Sequence, residues 1–252
     1  MSPSPFLPYW GTRRTTARAT LVCLPHAGAG ASAYRGWLRG HDDLDVQPVQ
    51  LPGRETLLRL PLVDRAERLV EPLGRALIEI VDRPFVLFGH SMGASLAAEL
   101  TAWLAERGEQ LPELLVVSSR QGGPIDEAHL ARDLGSPDVS DEELVRRVLV
   151  LCGTDLEALA NHELRALVLP VLRNDIQLLR AYRPTFRRLP VPILALGGAE
   201  DTVSAEQLSA WRHYGDGRFR VRTFPGNHFY LHQQASAVLR EICAELVLLD
   251  RS

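Results

Sequence analysis

A serine between two glycines is the first feature of the sequence that could carry chemistry. The segment Gly89-His-Ser91-Met-Gly93 matches G-x-S-x-G, the pattern of a nucleophile elbow, with an apolar run before it and a helical pattern after it. Glycine at both positions relieves crowding in a strained strand-to-helix turn, so the serine hydroxyl stands above the sheet beside a helix N-terminus. We predict that Ser91 is a nucleophile rather than a structural serine.

A serine hydroxyl needs a base that takes its proton and a third group that orients the base. Proteins with this elbow place the three groups in the chain order serine, acid, histidine. Asp201 follows the apolar run 193–197, and His228 follows the alternating run 219–224. Both lie just beyond the carboxyl ends of predicted strands, where an open α/β sheet places its site. We predict Asp201 as the acid and His228 as the general base.

Two neighbouring residues compete for these roles. Glu200 is a second carboxylate in the same loop, and we favour Asp201 from its position in that loop. His232 lies one helical turn after His228, so the two could form an H-x-x-x-H metal site. Phe229, however, stands where a metalloprotease motif needs glutamate, and we therefore predict no metal.

The oxyanion of a tetrahedral intermediate needs hydrogen-bond donors. The segment Pro25-His-Ala-Gly-Ala-Gly30 follows the first predicted strand, where this fold provides one backbone N–H, and Met92, after the nucleophile, provides the other. The glycines of this segment also start the pattern Gly28-x-Gly30-x-x-Ala33, which nearly matches a dinucleotide-binding fingerprint. No acidic residue closes the second predicted strand, which ends at Gln50-Leu-Pro, so we predict no nucleotide and no other cofactor.

The composition is that of an ordinary globular protein of one domain. Of 252 residues, 46% are hydrophobic and 23% charged, and the net charge of −3 does not favour nucleic acid or an anionic membrane as a partner. No apolar run approaches the roughly 18 residues that cross a bilayer, and the N-terminus lacks the pattern of a signal peptide. We therefore expect a cytoplasmic protein.

Short apolar runs alternate with segments of helical period, which predicts an α/β fold with a doubly wound, mostly parallel sheet, the α/β-hydrolase fold. We expect a loose N-terminal arm over 1–18 and a single domain over 19–252. The predicted strands are 19–25, 44–51, 84–89, 113–118, 193–197 and 219–224, the last at an edge; the predicted helices are 64–81, 94–107 and 235–249. The first helix has Asp64 and Glu67 in capping-box spacing and a kink or break at Pro72.

The stretch 121–188 interrupts this alternation and is predicted to be an inserted helical lid. It has no convincing strand, a capping box at Ser140-Asp-Glu-Glu143, and a helical pattern over 161–182 that Pro170 should interrupt. Most of its apolar positions are expected to pack on the sheet, and a minority to line an acyl channel.

With these residues assembled, the sequence resembles the type II thioesterases that accompany polyketide synthases and nonribosomal peptide synthetases. The resemblance covers nearly the whole chain after the arm. It rests on five motifs: Leu24-Pro-His-Ala-Gly-Ala29, Gln50-Leu-Pro-Gly-Arg-Glu55, Phe88-Gly-His-Ser-Met-Gly93, Leu169-Pro-Val-Leu-Arg-Asn-Asp175 and Phe224-Pro-Gly-Asn-His-Phe-Tyr230. Two small departures are Ser119 and Asn227, where glycine is usual.

The resemblance implies a catalytic triad of Ser91, Asp201 and His228, with oxyanion donors at the amides of Ala27 and Met92. It implies a free-standing enzyme that hydrolyses acyl groups from the phosphopantetheine arm of acyl or peptidyl carrier proteins. Its role would be to clear misloaded or stalled groups, or to release starter units or products. Because carrier proteins are generally acidic, arginines beside the lid are candidates for docking: Arg120, Arg183, Arg187 and Arg188.

Two other functions are compatible with the same residues. The first is a carboxylesterase or lipase that acts on a free small-molecule ester, because a fold does not determine its substrate. The second is a non-catalytic ligand receptor on the same fold, which typically lacks a member of the triad.

Overall fold

The centre of the protein is a parallel sheet. The structure, a computed structural model, describes residues 4–10, 14–124, 133–152, 162–186 and 188–251. Its six strands pair in the order β2-β1-β3-β4-β5-β6, and every pairing is parallel. The strands are β1 (Ala19–Leu24), β2 (Leu44–Pro48), β3 (Phe85–His90), β4 (Leu114–Ser118), β5 (Ile193–Gly198) and β6 (Phe219–Phe224). The prediction of a doubly wound, mostly parallel sheet is confirmed.

The burial of the strands explains their sequences. Strands β1 to β5 are buried along their whole length, because helices cover both faces of the sheet, and such strands are runs of apolar residues. Strand β6 is only partly buried and alternates in character, as an edge strand does. The register aligns Leu24 with Gly89 and His90 with Ser118, so the loops that follow β1, β3 and β4 meet at one edge of the sheet.

Helices lie on both faces of the sheet. Side chains of α1 and α2 form the core of one face, and those of α6 pack on the other face with Tyr34 and Trp37. The helices are α1 (Ala66–Ile80), α2 (Met92–Glu106), α3 (Asp141–Cys152), α4 (His162–Ala181), α5 (Ala205–Ser209) and α6 (Ala235–Leu249). Among the described residues, no helix is both long enough and apolar enough to cross a membrane.

The structure corrects the predicted helix breaks at two prolines and one predicted cap. Pro72 and Pro170 lie inside continuous helices, α1 and α4, rather than breaking them. Buried neighbours explain this: Leu73 and Leu169 are at most 7% exposed, and such packing can outweigh the roughly 3 kcal/mol cost of proline in a helix. The predicted capping box at the start of α1 is wrong, because the N-cap of α1 is Arg65, with no side-chain cap.

The described part of 121–188 contains the helices α3 and α4, two further helical residues at 133–134, and no strand. Helices α3 and α4 pack on each other through a small apolar cluster that includes Leu144, Leu172 and Ile176. The hydroxyl of Ser140 accepts the backbone N–H of Glu143, as the predicted cap requires. The boundaries of the lid and of the single domain stay predictions.

The N-terminal arm is not loose where the structure describes it. Leu7 is 3% exposed and belongs to the core under α1 and α2, and Phe6 packs against the same core. The carbonyl of Phe6 also accepts the N–H of Gln50. The expectation of a loose arm is therefore wrong for these residues, because two apolar side chains gain more from burial than the segment loses in freedom.

Candidate active site

Ser91 lies alone between strand β3 and helix α2, and its backbone conformation is strained. Its backbone angles are φ 54° and ψ −114°, and a non-glycine residue rarely adopts a positive φ outside functional turns. The N–H of Ser91 donates to the carbonyl of Ser118 at 2.8 Å, which ties the turn to the end of β4. The N-terminus of α2 begins at Met92, directly after the serine.

The two glycines of the motif are required by close backbone contacts. A Cβ atom on Gly89 would lie 2.1 Å from the carbonyl oxygen of Gly93. A Cβ atom on Gly93 would lie 2.2 Å from the carbonyl oxygen of Leu24, at the end of β1. The elbow therefore packs directly on the start of the loop that follows β1, which brings the predicted oxyanion loop next to the serine.

His228 and Asp201 form a hydrogen-bonded pair at the same edge of the sheet. Nδ1 of His228 lies 2.9 Å from Oδ1 of Asp201, whose side chain is fully buried. Burial by itself would raise the pKa of Asp201, but the hydrogen bond and the charge of His228 outweigh it and hold that pKa below its usual value. Glu200, the competing acid, is exposed and lines a different cavity.

The structure places Ser91 and His228 on the wall of one cavity of about 100 Å³, together with Ala27. Between these two described side chains it records no hydrogen bond. Such bonds are often long without substrate and shorten in the reacting complex, so the arrangement leaves His228 available as base.

The predicted oxyanion donors lie on either side of the serine. Ala27 is in the loop after β1, and its N–H donates to no acceptor among the residues that the structure describes. Met92 is the first residue of α2, a position whose N–H has no partner within a helix. Both amides are therefore free to bind an oxygen, although their roles stay predictions.

A second group of hydrogen-bonded polar side chains, behind the predicted triad, escaped the sequence analysis. Nδ1 of His90 lies 2.9 Å from the hydroxyl of Ser118, which in turn lies 2.8 Å from the hydroxyl of Tyr230. All three side chains are buried. These hydrogen bonds link the end of β4 to the residues just after His228, and they help to hold that loop in place. Their only signal in the sequence is a histidine beside the nucleophile.

We expect acid to destabilise the fold between about pH 6.5 and 4. Burial lowers the pKa of His90 well below its usual value, and burial also lowers that of His26, whose ring contacts His90, to about 4. An unfolded chain binds these protons near pH 6.5 and the folded protein does not. The contribution of these histidines to the free energy of unfolding is therefore at its maximum above pH 6.5. It falls as the pH drops toward 4, by up to about 1.4 kcal/mol per pH unit for each histidine.

Urea unfolding at pH values from 7.5 to 4.5 measures this effect. The variant His26→Gln should lose less stability across that range than the wild type, whereas His213→Gln, which changes an exposed histidine, should behave as the wild type does. Equal pH dependence in all three proteins would contradict the assignment.

A second, larger cavity adjoins the one that contains the serine. Its volume is about 980 Å³, and it runs along the loop after β1 and helix α4. The two cavities share part of their wall, formed by His26, Ala27, Val148, Leu172 and Phe229. The larger cavity therefore lies directly beside the one that contains Ser91.

The docking prediction is wrong for Arg120. Its side chain is 8% exposed, lines the smaller cavity and donates from Nε to the hydroxyl of Ser95 at 2.8 Å. Burial lowers its pKa to about 10, so it remains charged at neutral pH. Arg183 and Arg188 are exposed, and Arg188 pairs with Asp216. Arg187 lies outside the described residues.

The H-x-x-x-H alternative gains no support from the geometry. Nδ1 of His228 is engaged with Asp201. Within the described part of the chain, one group of three side chains lies close enough together to hold a metal ion, and it consists of His41, Asp43 and Cys243. That group includes neither His228 nor His232.

A doubly wound parallel sheet with a serine on its strand-to-helix turn defines an α/β-hydrolase. A family model described as "Thioesterase domain" matches residues 19–246. The chain belongs to this thioesterase family, and it is a serine-type α/β-hydrolase that acts on thioesters.

Three relatives illustrate the similarity. The gramicidin S biosynthesis protein GrsT of Aneurinibacillus migulanus is 31% identical over 238 residues, which cover 93% of this chain and 91% of GrsT. A probable cadicidin biosynthesis thioesterase of Streptomyces griseus is 35% identical over 90% of this chain, which spans 62% of that protein. The structure of the type II thioesterase BorB from the borrelidin biosynthetic cluster has a TM-score of 0.82 and 34% identity, covering 98% of this chain and 99% of BorB.

Proposed function

We propose that this chain is a stand-alone type II thioesterase that hydrolyses acyl groups from the phosphopantetheine arm of carrier proteins in polyketide or nonribosomal peptide synthesis. The observation that carries the proposal is the cavity wall shared by Ser91 and His228, with His228 hydrogen-bonded to Asp201. The similarity to the type II thioesterase BorB, over 98% of this chain and 99% of BorB, supports an enzyme of this class.

The first half of the reaction transfers the acyl group to the serine. The Ser91 oxygen attacks the thioester carbonyl carbon while Nε2 of His228 takes the hydroxyl proton, and Asp201 stabilises the resulting imidazolium. The carbonyl electron pair moves to oxygen, which the N–H groups of Ala27 and Met92 bind. Collapse of this intermediate breaks the carbon–sulfur bond, and His228 returns the proton to sulfur. A thiol with a pKa near 8.5 leaves readily, so this step suits a simple triad.

The second half releases the acid. A water molecule attacks the acyl-serine carbonyl while His228 takes one of its protons, and the same two amides bind the oxyanion. Collapse then breaks the bond to the serine oxygen, and His228 returns the proton to Ser91. The products are a free carboxylic acid and the original enzyme, which needs no cofactor.

The two cavities support a carrier-bound substrate. The smaller cavity, of about 100 Å³, suits a short acyl group, and it is lined mainly by apolar side chains that include Leu134, Leu172 and Val203. The larger cavity can hold an extended arm that reaches the serine from outside. An acyl group on a long flexible thiol therefore fits better than a compact free ester.

Mass spectrometry of acylated carrier proteins tests the proposal. A panel that bears acetyl, propionyl, butyryl, hexanoyl and aminoacyl groups is incubated with the wild type and with Ser91→Ala. We expect loss of acyl groups, with free acid formed, only with the wild type and fastest for short chains. Turnover of simple oxygen esters that exceeds turnover of every acyl carrier would instead indicate a carboxylesterase.

A further inference from the structure

A buried ion pair joins the lid to the sheet at the active-site edge, and the triad chemistry does not use it. Asp175 on helix α4 is 1% exposed, and the side chain of Arg54, in the loop after β2, is 7% exposed. The pair is bidentate: Nη1 of Arg54 lies 2.5 Å from Oδ2 of Asp175, and Nη2 lies 2.8 Å from Oδ1. Paired groups this deeply buried make a geometrically specific contact.

Both partners also hold the loop that contains the predicted oxyanion donor. Oδ2 of Asp175 accepts the backbone N–H of Gly28 at 2.8 Å, and Nη1 of Arg54 donates to the carbonyl of Ala29 at 3.1 Å. Gly28 has a φ of +80°, and a Cβ atom there would lie 3.3 Å from Leu172, a second residue of α4. Helix α4 therefore contacts this loop through one charged and one apolar side chain.

The peptide group between Ala27 and Gly28 is held at both ends. Its oxygen lies 3.0 Å from Nδ1 of His26, and its N–H is bound by Asp175. The orientation of this peptide constrains the backbone at Ala27, whose own N–H has no acceptor within the described part of the chain. An oxyanion donor is effective only when its direction is set before the reaction, and a misplacement of about 1 Å can cost about 100-fold in rate.

We propose that Asp175, itself held by Arg54, is a positioning residue that fixes the Ala27 amide for oxyanion binding and makes the oxyanion hole depend on lid helix α4. This inference rests on the proposed function, because it requires Ala27 as a donor. It assigns a catalytic consequence to a pair whose partners are 121 positions apart in the chain.

The test must separate positioning from folding. Removing one partner leaves a buried charge without its counterion, which is strongly destabilising, whereas replacing both partners by apolar side chains is often neutral. The informative variant is therefore the double substitution Arg54→Met with Asp175→Leu, which removes both charges and also the acceptor for Gly28. Asp141→Asn is the matched control, because it breaks an exposed ion pair of the same lid, with Arg173.

Three measurements are made on each full-length protein: thermal unfolding, kcat and KM on a short acyl thioester of N-acetylcysteamine, and the affinity for an alkylboronic acid. The boronic acid forms a tetrahedral adduct with a nucleophilic serine and places an oxygen where the oxyanion would lie. We expect the double variant to unfold near the wild-type temperature with KM within about threefold, while kcat and boronate affinity each fall about 30- to 100-fold. Asp141→Asn should match the wild type in all three.

A folded double variant that keeps kcat and boronate affinity within threefold of the wild type would overturn the proposal. A loss of kcat with unchanged boronate affinity would overturn it as well, because the oxyanion site would then be intact. Boronate binding needs no thioester turnover. Failure of the wild type to cleave the thioester would therefore count against the proposed function, and the boronate comparison would still decide the role of Asp175.

Discussion

Replacement of Ser91 by alanine is expected to lower kcat on an acyl thioester by at least about 10⁴-fold, because the variant has no oxygen that can form the acyl-enzyme. The residual rate would come from water attack on a substrate still bound at the oxyanion site. The fold should persist, since alanine can occupy the same turn and the N–H of residue 91 keeps its bond to Ser118. Single-turnover assays give the rate, and a fluorophosphonate probe should label the wild type once and the variant not at all.

Ser209→Ala is the control for this experiment. Ser209 is half-buried on α5, and among the described residues its hydroxyl donates to the carbonyl of Ala205, so its removal should leave kcat unchanged. If Ser91→Ala retained a tenth of the wild-type rate, the nucleophile would be another group and the proposed mechanism would be wrong.

Replacement of Asp201 by asparagine should lower kcat by about 10⁴-fold while KM changes little. The carboxylate accepts a hydrogen bond from Nδ1 of His228, whereas an amide can instead donate to it and so stabilise the tautomer that carries its proton on Nε2. That tautomer cannot take a proton from Ser91. The variant also loses the charge that stabilises the imidazolium during the reaction.

Glu200→Gln is the matched control, because it makes the same chemical change one residue earlier in the same loop. Glu200 is exposed, and His228 bonds to Asp201 instead, so we expect kcat within about threefold of the wild type. Any effect of the change should fall on KM, because Glu200 lines the larger cavity. Steady-state kinetics of the two variants distinguish the candidate acids directly. A large loss in Glu200→Gln with little change in Asp201→Asn would transfer the role of the acid to Glu200.

Much of the architecture was predictable because it depends on neighbouring residues. Apolar runs that are buried on both faces identified β1 to β5, and an alternating run identified β6. The helix 235–249 was predicted with the same bounds as α6. The motif around Ser91 determines its own turn, since Gly89 and Gly93 are needed by contacts within the elbow and with β1. The proximity of Asp201 and His228 could be predicted because each follows a strand, and the parallel sheet brings such loops to one edge.

The remaining features depend on residues that are distant in sequence, and only the tertiary structure decided them. Pro72 remains inside α1 because the helix packs on the core. The stabilisation from that packing comes from distant residues, so local sequence patterns do not reveal it. Arg120 looked like a surface residue, yet it is buried beside Ser95. Arg54 and Asp175 each lie in a motif of the family resemblance, but no local pattern predicts that the two side chains pair. Side-chain pairing of this kind follows from how loops and lid fold together, whereas propensity and periodicity act only over a few neighbouring positions.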